Sequence, residues 1–300
     1  MMDILLAVSG GIDSMYLANR APELFPGARF AVAHCNFTLR GAESDGDEAF
    51  VRAWCEEHGM PCYVERFDTR NYAASHGVSI EMAARELRYT WFARLRREHG
   101  FTAVAVAHNA DDNAETLMLN LLRGTGSRGL RGMGDRDGIV RPLLDIPRAD
   151  IRDWMLAHGC AWREDSTNAD NALKRNRIRN EVFPAFAQIN PSFIRTLGED
   201  MVRFARVDDI ADAWFRSVRG GLTTEDGAIR IPAVLALEHW EYALWRLVEG
   251  CGLSGPTFEK LVALLRRYRD EPRGTVTIGG KTFEGTGTQL VIEKELLLIR

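Results

Sequence analysis

Long hydrophobic runs are absent from this sequence. No apolar stretch approaches the roughly 20 residues that a membrane-spanning helix needs. The N-terminal segment MMDILLAVSGG is short and lacks a basic region, which excludes a signal peptide and is typical of a first strand. We therefore expect a cytoplasmic protein that makes no contact with a membrane.

Cysteine is scarce and scattered. The chain has five cysteines, which form neither a CxxC pair nor a zinc-binding spacing with histidine; they are Cys35, Cys55, Cys62, Cys160 and Cys251. An odd, dispersed set is typical of reduced thiols that are buried as small hydrophobic side chains. We therefore expect no structural metal site.

A surplus of positive charge is also missing. The formal net charge is −4 at pH 7, and the composition is that of an ordinary globular protein. The negative net charge argues mildly against nucleic-acid binding, which needs clustered lysine and arginine. The distribution argues the other way, because arginines concentrate in residues 85–97, 123–131 and 174–179, whereas acidic residues gather from Glu43 to Glu57. A molecule polarised in this way can hold an acidic polymer on one face.

Short apolar runs alternate with amphipathic segments in the first half of the chain. One of the predicted helices begins at Ser79 and ends at Gly100. The alternation predicts an α/β fold with a parallel doubly wound sheet and helices on both faces. The four predicted strands cover Asp3–Val8, Arg29–Cys35, Pro61–Phe67 and Phe101–Ala107.

Polar segments follow three of these strands. They span residues 9–14, 34–40 and 108–115. Ligands of parallel sheets bind at the carboxyl ends of the strands. We therefore expect the three segments to converge on one rim of the sheet.

The pattern changes after Pro142. Helical segments, among them Asn176–Phe186, dominate up to about residue 269, and residues 275–300 alternate like short strands. Three hundred residues accommodate one large domain with a smaller partner. We therefore predict a first domain over residues 1–190 and a smaller, mainly helical domain over residues 191–300 that ends in short strands.

A glycine-rich loop lies between the first predicted strand and a helix. Two glycines allow a sharp turn that brings backbone N–H groups close to an anion, and the helix points its positive end at the same place. The loop lacks both the GK[ST] ending of a kinase-type P-loop and the GxGxxG of a dinucleotide fold. A turn without a ligand is the alternative, but the position at the first strand favours phosphate binding. The loop residues are Ser9, Gly10, Gly11, Ile12, Asp13 and Ser14.

Three carboxylates lie just after the fourth predicted strand. Asp111, Asp112 and Glu115 fall at helical spacings that place them on one face. Such a group can hold Mg²⁺ or an ammonium group through its oxygens. Asp111 alone is typical of a solvated helix N-terminus, where acids are favoured by the dipole.

A charged stripe occurs on the predicted helix that begins at Ser79. Glu81, Arg85 and Arg88 are spaced so that they share one face. Surface ion pairing, which is worth little, would explain them. Arginine is also suited to two-point binding of phosphate. The residues alone leave both interpretations open.

The glycine-rich loop matches the SGGxDS signature of the PP-loop ATP pyrophosphatases. Enzymes of this superfamily cleave ATP between the α- and β-phosphates. The resemblance implies a parallel, doubly wound PP-loop sheet and adenylation of a substrate oxygen, with pyrophosphate as the leaving group. It also implies that residues 1–190 form the catalytic domain and that Mg²⁺ accompanies ATP.

Further segments resemble the tRNA(Ile)-lysidine synthetase family. They occur in the family's order over roughly residues 3–185, and the rest of the chain is similar to the family's second, helical domain less specifically. Family members often carry a further C-terminal domain that has no counterpart here, which leads us to expect either a short form or a truncated piece of a longer protein. The segments are residues 34–41, 43–45, 81–89, 107–116, 123–126, 129–130, 141–144, 165–168, 175–176 and 179–180.

The resemblance implies a two-step reaction on a tRNA. ATP adenylates the C2 oxygen of the wobble cytidine in the CAU anticodon of tRNA(Ile), and the ε-amine of free L-lysine then displaces AMP to give lysidine. The enzyme would be an ATP-dependent carbon–nitrogen ligase with ATP and Mg²⁺ as cofactors. The sequence does not decide between a monomer and a homodimer.

The resemblance also implies roles for individual residues. The loop from Ser9 to Ser14 would hold the ATP phosphates, and Asp13 is expected to act in catalysis. Asp112 and Glu115 would receive the lysine ammonium group or Mg²⁺. Arg88 would stabilise charge near the α-phosphate or the lysine carboxylate. The residues expected to face ATP or the anticodon nucleotide are Arg175, Asn176 and Arg179.

Three other functions compete with this interpretation. A tRNA thiolase on the same scaffold generally needs paired cysteines or an iron–sulfur cluster, which the spacing of Cys35, Cys55 and Cys62 does not supply. A catalytically silent binding module conflicts with the intact loop and its Asp13. An amidotransferase-type synthetase would need a glutaminase segment, which this sequence does not contain.

Overall fold

The computed structural model describes residues 2–164, 174–271 and 276–300. The chain divides into two compact units, the first ending at Phe204 and the second beginning at Ala205. The predicted turn and family motif at residues 165–168 lies outside the described residues. Within the described ranges, every helix is too short or too polar to cross a membrane.

A five-stranded parallel sheet forms the centre of the first unit, and its order is β3-β2-β1-β4-β5. The predicted α/β fold with a parallel sheet is thereby confirmed. The central strand is apolar on both faces, and Ile4, Leu5 and Leu6 are at most 1% exposed. The strands are β1 (Asp3–Ala7), β2 (Arg29–Asn36), β3 (Cys62–Arg66), β4 (Ala103–Ala105) and β5 (Ile139–Val140).

Helices cover both faces of this sheet. Alternate residues of β1 point to opposite faces, so that Leu6 joins a core with Met15, Val51 and Ile151. Leu5 belongs to a separate core with Trp91, Phe92 and Leu95 on the other face. The helices are α1 (Ile12–Leu24), α2 (Ala42–Glu57), α3 (Thr69–His76), α4 (Ile80–His99), α5 (Ala110–Arg123), α6 (Ser127–Leu130), α7 (Arg148–Ala157), α8 (Lys174–Arg177) and α9 (Phe183–Ile189).

The ends of α4 follow from its sequence. The Ser79 side chain accepts a hydrogen bond from the Met82 backbone N–H and caps the first turn. Gly100 ends the helix in the left-handed conformation, with φ of 71°. The predicted helix from Ser79 to Gly100 is confirmed.

The helix predicted from Asn176 to Phe186 contains a π-helical turn. A π-helical turn, Ile178–Val182, separates α8 from α9, and the backbone N–H of Phe183 bonds to the carbonyl of Ile178. The physical reason is Pro184, which has no N–H to donate to the residue four positions earlier. The predicted helix over Asn176–Phe186 is confirmed, and the structure adds the π-helical turn within it.

The second unit has its own core and its own sheet. Leu244, Leu261 and Leu290 are fully buried there, and the antiparallel sheet has the order β6-β9-β8-β7. The predicted helical region with short strands at its end is confirmed. The elements are α10 (Phe193–Val218), β6 (Ile229–Arg230), α11 (Ile231–Leu235), α12 (Trp240–Val248), α13 (Gly255–Asp270), β7 (Thr282–Glu284), β8 (Gln289–Glu293) and β9 (Leu296–Ile299).

The two compact units divide inside α10. The domain boundary predicted between residues 190 and 191 lies just before that helix, and it stays a prediction.

Candidate active site

The glycine-rich loop joins β1 to α1 and is shaped by its serines. Ser14 Oγ accepts hydrogen bonds from the backbone N–H groups of Ser9 and Gly10, each at 3.1 Å, and donates to the carbonyl of Gly11 at 2.8 Å. Gly10 has φ of 97°, a conformation that favours glycine. Among the residues that the structure describes, no side chain caps the N-terminus of α1. Its first amides therefore remain available to an anion.

A cavity of about 260 Å³ that is lined mostly by charged residues opens in front of this loop, and we call it the polar cavity. Arg40 and Arg163 both line it, and both donate to the carboxylate of Asp47. The backbone N–H of Arg163 also donates to the Gly10 carbonyl at 2.9 Å. These contacts hold two guanidinium groups beside the loop. The charged lining residues are Asp13, Arg40, Asp47, Asp112, Arg148, Arg163, Glu164 and Arg179.

Asp13 connects the loop to α5. Its Oδ1 accepts a hydrogen bond of 3.0 Å from Nδ2 of Asn109, which is the N-cap residue of α5. Burial raises the pKa of Asp13, and the neighbouring carboxylate of Asp112 acts in the same direction, whereas Arg148 opposes the shift. A buried carboxylate in this situation is stabilised by a bound cation.

The carboxylates of α5 have separate tasks. Asp112 completes a capping box, in which its Oδ2 accepts from the Asn109 backbone N–H at 3.2 Å. Asp111 instead accepts from the backbone N–H of Arg148 at 2.8 Å and so caps α7. Asp111 thus binds the first amide of a second helix, a contact that its expected place at the solvated N-terminus of α5 did not predict.

Glu115 lies fully buried beneath the polar cavity. Its Oε1 accepts a hydrogen bond of 2.6 Å from Arg179 Nε, and Arg179 also reaches Asp112 Oδ1 at 3.3 Å. Glu115 Oε2 has no hydrogen-bond partner in the described part of the chain, and Arg175 Nε lies 3.9 Å from it. Burial raises the pKa of Glu115, and the charge of Arg179 opposes that rise.

The arginine segment predicted to face ATP or the anticodon nucleotide packs along α5. Arg175 donates to Thr116 Oγ1 at 2.7 Å, and Asn176 is buried. Arg179 belongs to the π-helical turn, a geometry often found at functional sites. Arg175 and Arg179 therefore stand next to the acidic group of α5, a proximity that spacing along the sequence could not reveal.

A second cavity of about 340 Å³, the central cavity, shares Ser9 and Asp13 with the polar cavity. Arg88 lies in its wall with the guanidinium 5.2 Å from the Phe37 ring centroid. Within residues 2–164, 174–271 and 276–300, Arg88 has no carboxylate partner. The predicted catalytic residues Asp13 and Arg88 thus line one space.

Two further titratable groups line the central cavity. Burial lowers the pKa of His108 to about 4, with the charges of Arg141 and Arg175 adding to the effect against the opposing charge of Asp112. His108 Nδ1 has no hydrogen-bond partner among the described residues. Burial raises the pKa of the Cys35 thiol to about 12, so Cys35 is not a thiolate near neutral pH.

The predicted site residues gather in these two cavities with few exceptions. The exceptions, which line neither cavity, are Gly10, Glu115, Arg175 and Asn176. The predicted set did not include the cavity residues Arg40, Asp47, Arg148, Arg163 and the bridging Asn109. Arg40 and Asn109 lie in the polar segments 34–40 and 108–115, which were predicted to converge on one rim of the sheet, and Asn109 also has a helix-capping position.

The fold and the site define a PP-loop protein. Residues 1–186 match the family described as a PP-loop domain. The described chain also resembles the solved U34-tRNA thiolase NcsA from Methanococcus maripaludis, with a TM-score of 0.55 and 18% identity over 67% of this chain and 71% of that one. At this identity the likeness concerns the fold alone.

Similarity to curated relatives identifies a more specific family within the PP-loop proteins. The chain is 38% identical to the tRNA(Ile)-lysidine synthase of Parabacteroides distasonis, over 99% of this chain and 65% of the relative. It is 37% identical to the tRNA(Ile)-lysidine synthase of Bacteroides thetaiotaomicron, over 99% of this chain and 67% of the relative. The chain therefore belongs to the tRNA(Ile)-lysidine synthase family within the PP-loop proteins. It spans about two thirds of the length of these two relatives.

Proposed function

We propose that the chain is an ATP-dependent carbon–nitrogen ligase that converts the wobble cytidine of tRNA(Ile) to lysidine. The observation that carries the proposal is the junction of two cavities at Asp13. One holds the glycine-rich loop and four arginines, and the other holds Arg88 and His108. A triphosphate and the group to be adenylated can therefore meet at one carboxylate.

The polar cavity fits a magnesium nucleotide. Mg²⁺ is usually held by one or two carboxylates together with substrate phosphates. Asp13 and Asp112 both line the cavity, and the raised pKa of Asp13 makes a divalent cation electrostatically favourable there. Bound Mg²⁺ would neutralise phosphate charge and polarise the α-phosphoryl group.

In the first step the C2 oxygen of the cytidine attacks the α-phosphorus of ATP. An oxygen–phosphorus bond forms, the bond to the β-phosphate oxygen breaks, and pyrophosphate leaves. The amides at the start of α1 bind the phosphates, and Arg40, Arg148 and Arg163 stabilise the charge that develops on pyrophosphate. Arg88 stabilises charge near the α-phosphate from the central cavity or holds the lysine carboxylate.

In the second step the ε-amine of lysine attacks C2 of the adenylated cytidine. A carbon–nitrogen bond forms and the carbon–oxygen bond breaks, so that AMP leaves with the former C2 oxygen. The lysine nitrogen, which arrives as an ammonium group, releases one proton to solvent before the attack and one after it. Asp112 and Glu115 are the candidates for receiving the ammonium group before it reacts. Both are paired with Arg179, so lysine binding would exchange one cation for another beside the same two carboxylates.

The arginine segment supports a position close to the nucleotides. Arg175 and Arg179 lie beside α5. Asn176, which falls between them in the sequence, is buried. We propose that this segment faces ATP or the anticodon nucleotide. The substrates, which are tRNA, ATP and free lysine, occur together in the cytoplasm, and this supports a cytoplasmic address.

The direct test is nucleoside mass spectrometry of tRNA(Ile) with a CAU anticodon after incubation with the protein, ATP, Mg²⁺ and lysine. We expect the mass gain from cytidine to lysidine only when both ATP and lysine are present. Pyrophosphate release without that mass gain would support the adenylation step. It would show that either tRNA(Ile) is not the substrate or lysine is not the nucleophile. If neither pyrophosphate nor lysidine appears, the enzymatic proposal is rejected.

A further inference from the structure

A third cavity, which we call the edge cavity, lies between α4 and the edge strand β5. Its volume is about 400 Å³, and Val104 and Ile139 contribute apolar lining. Tyr89 belongs to the walls of both the edge cavity and the central cavity. The two cavities are therefore neighbours that share one lining side chain. None of the roles assigned above uses the edge cavity.

The edge cavity has an excess of positive charge. Four arginines line it against the two carboxylates of Glu86 and Asp137. In the part of the chain that the structure describes, none of the four arginines forms an ion pair with a carboxylate. Many other arginines of the first unit are paired, for example Arg94 with Glu65. The four are Arg85, Arg96, Arg136 and Arg141.

Arg141 is the most informative of the four. It is 8% exposed, one of its terminal nitrogens donates to the carbonyl of Gly134, and its Nε has no hydrogen-bond partner among the described residues. A buried guanidinium without a counter-charge is costly. An anion that enters the cavity would satisfy it. Arg141 begins the Arg141–Leu144 segment that resembles the family, to which the proposed reaction gives no task.

The cavity also offers a flat surface. The Arg85 guanidinium lies 4.9 Å from the centroid of the Tyr89 ring, and Met82 lies on the same side of α4. Tyrosine rings and arginine planes are the groups on which proteins stack unpaired bases. A cavity that combines them with unpaired arginines fits a ligand with a planar base and a phosphate.

The floor of the cavity is held by a tight turn. Arg136 and Ile139 exchange two backbone hydrogen bonds of 3.1 and 2.8 Å, and the intervening Asp137 and Gly138 have φ of 53° and 76°. A Cβ on Gly138 would lie 1.3 Å from a terminal nitrogen of Arg96. The absence of a side chain at Gly138 therefore lets Arg96 lie against the turn, next to Arg136.

We propose that the edge cavity binds one nucleotide of the substrate RNA, adjacent to the cytidine that reacts in the central cavity. The proposal rests on the proposed function, since it takes an RNA as the substrate. The base stacks on Tyr89 and Arg85, and the phosphate is bound by Arg136 and Arg141. Adjacent nucleotides of a single strand occupy adjacent positions, which matches two cavities that share the Tyr89 side chain.

The test compares variants in their affinity for a short RNA hairpin with a CAU loop, measured by fluorescence anisotropy over a series of salt concentrations. Arg136→Gln is expected to weaken binding on the order of tenfold and to lower the slope of log affinity against log salt by about one. Tyr89→Leu is expected to weaken binding by a similar factor without lowering that slope. Arg97→Gln is the matched control, since Arg97 lies on the same helix outside the cavity.

The outcomes separate the inference from the proposed function. If the wild-type protein makes lysidine but Arg136→Gln and Tyr89→Leu bind the RNA as tightly as wild type, the inference is overturned and the proposed function is retained. Wild-type protein that neither binds nor modifies RNA overturns both. Free CMP and AMP are tested as competitors against wild type and Arg136→Gln, and competition that this variant weakens would assign the edge cavity to a free nucleotide instead. Thermal melting of each variant, with Tyr89→Phe and Arg141→Lys as conservative changes, separates loss of binding from loss of folding.

Discussion

Asn109 donates a hydrogen bond of 3.0 Å to Oδ1 of Asp13, across 96 positions of sequence. The same side chain accepts from the Asp112 backbone N–H at 3.0 Å and caps α5. One amide therefore fixes the carboxylate of the loop relative to the acidic helix. Two groups that the proposed reaction uses together are held in register by a residue without charge.

The first prediction follows from this double contact. Asn109→Ala should lower the free energy of unfolding by about 1 kcal/mol through loss of the cap. It should also lower kcat/KM for ATP on the order of 10–100-fold, because Asp13 loses its support. Asn109→Ser is the control, since serine retains the cap but is too short to reach Asp13. Denaturant unfolding and pyrophosphate release should separate the two effects, and full activity in Asn109→Ser would remove the positioning role.

The second prediction concerns Asp13 itself. Asp13→Ala should reduce release of AMP and pyrophosphate on the order of 10³-fold, because the phosphate site loses a carboxylate that no neighbour replaces. Burial raises the pKa of Asp13, so its ionised form is less favourable in the folded than in the unfolded protein. Asp13→Asn should therefore melt at the same or a higher temperature than wild type while losing activity. A lowered melting temperature in Asp13→Asn would contradict the electrostatic argument.

Local sequence signals predicted the loop and the sheet, and they did not predict what surrounds them. The loop from Ser9 to Ser14 and the acids after β4 could be recognised because each is a short pattern that follows a strand. Arg148 and Arg163 could not, because they reach the polar cavity from segments without such a pattern. Contacts between distant parts of the chain depend on how the helices pack, and spacing carries no information about that packing.

The same limit applies to the acidic group. Its spacing predicted a shared face for Asp111, Asp112 and Glu115, but the three side chains have different surroundings. Asp111 caps α7, Asp112 lines the polar cavity, and Glu115 is fully buried against Arg179. The π-helical turn that contains Arg179 depends on Pro184. The effect of a proline on a helix depends on which backbone hydrogen bond its missing N–H removes.

The third prediction tests the pair of Glu115 and Arg179. Arg179→Met should destabilise the protein by about 3–5 kcal/mol at pH 7, because it leaves Glu115 buried without its partner. The double variant Arg179→Met with Glu115→Gln should recover most of that loss. Denaturant unfolding of both single variants and the double variant gives the coupling energy, and additive losses would show that the pair is not coupled.

The pH dependence of Arg179→Met has a defined sign. Burial already raises the pKa of Glu115, and removal of Arg179 takes away the group that opposes the rise. Between the ordinary pKa and the raised one, the folded protein binds more protons than the unfolded protein, so stability falls as pH increases. The destabilisation of Arg179→Met should therefore be smaller at pH 5 than at pH 7. A loss that does not depend on pH would indicate that Glu115 is not the group responsible.

The last prediction concerns His108, whose pKa is lowered by burial to about 4. Its folded pKa lies below the ordinary value of about 6.5, so between these values the unfolded protein binds more protons than the folded protein. Stability due to the neutral imidazole is present above about pH 6.5 and is lost as pH falls toward 4, by on the order of 2 kcal/mol. His108→Gln removes the titrating group and should flatten stability over this range. Denaturant midpoints at pH 7 and pH 5 for wild type and variant provide the measurement, with His76→Gln on the exposed end of α3 as the control. An equal fall in stability for wild type and His108→Gln would assign the acid sensitivity to other groups.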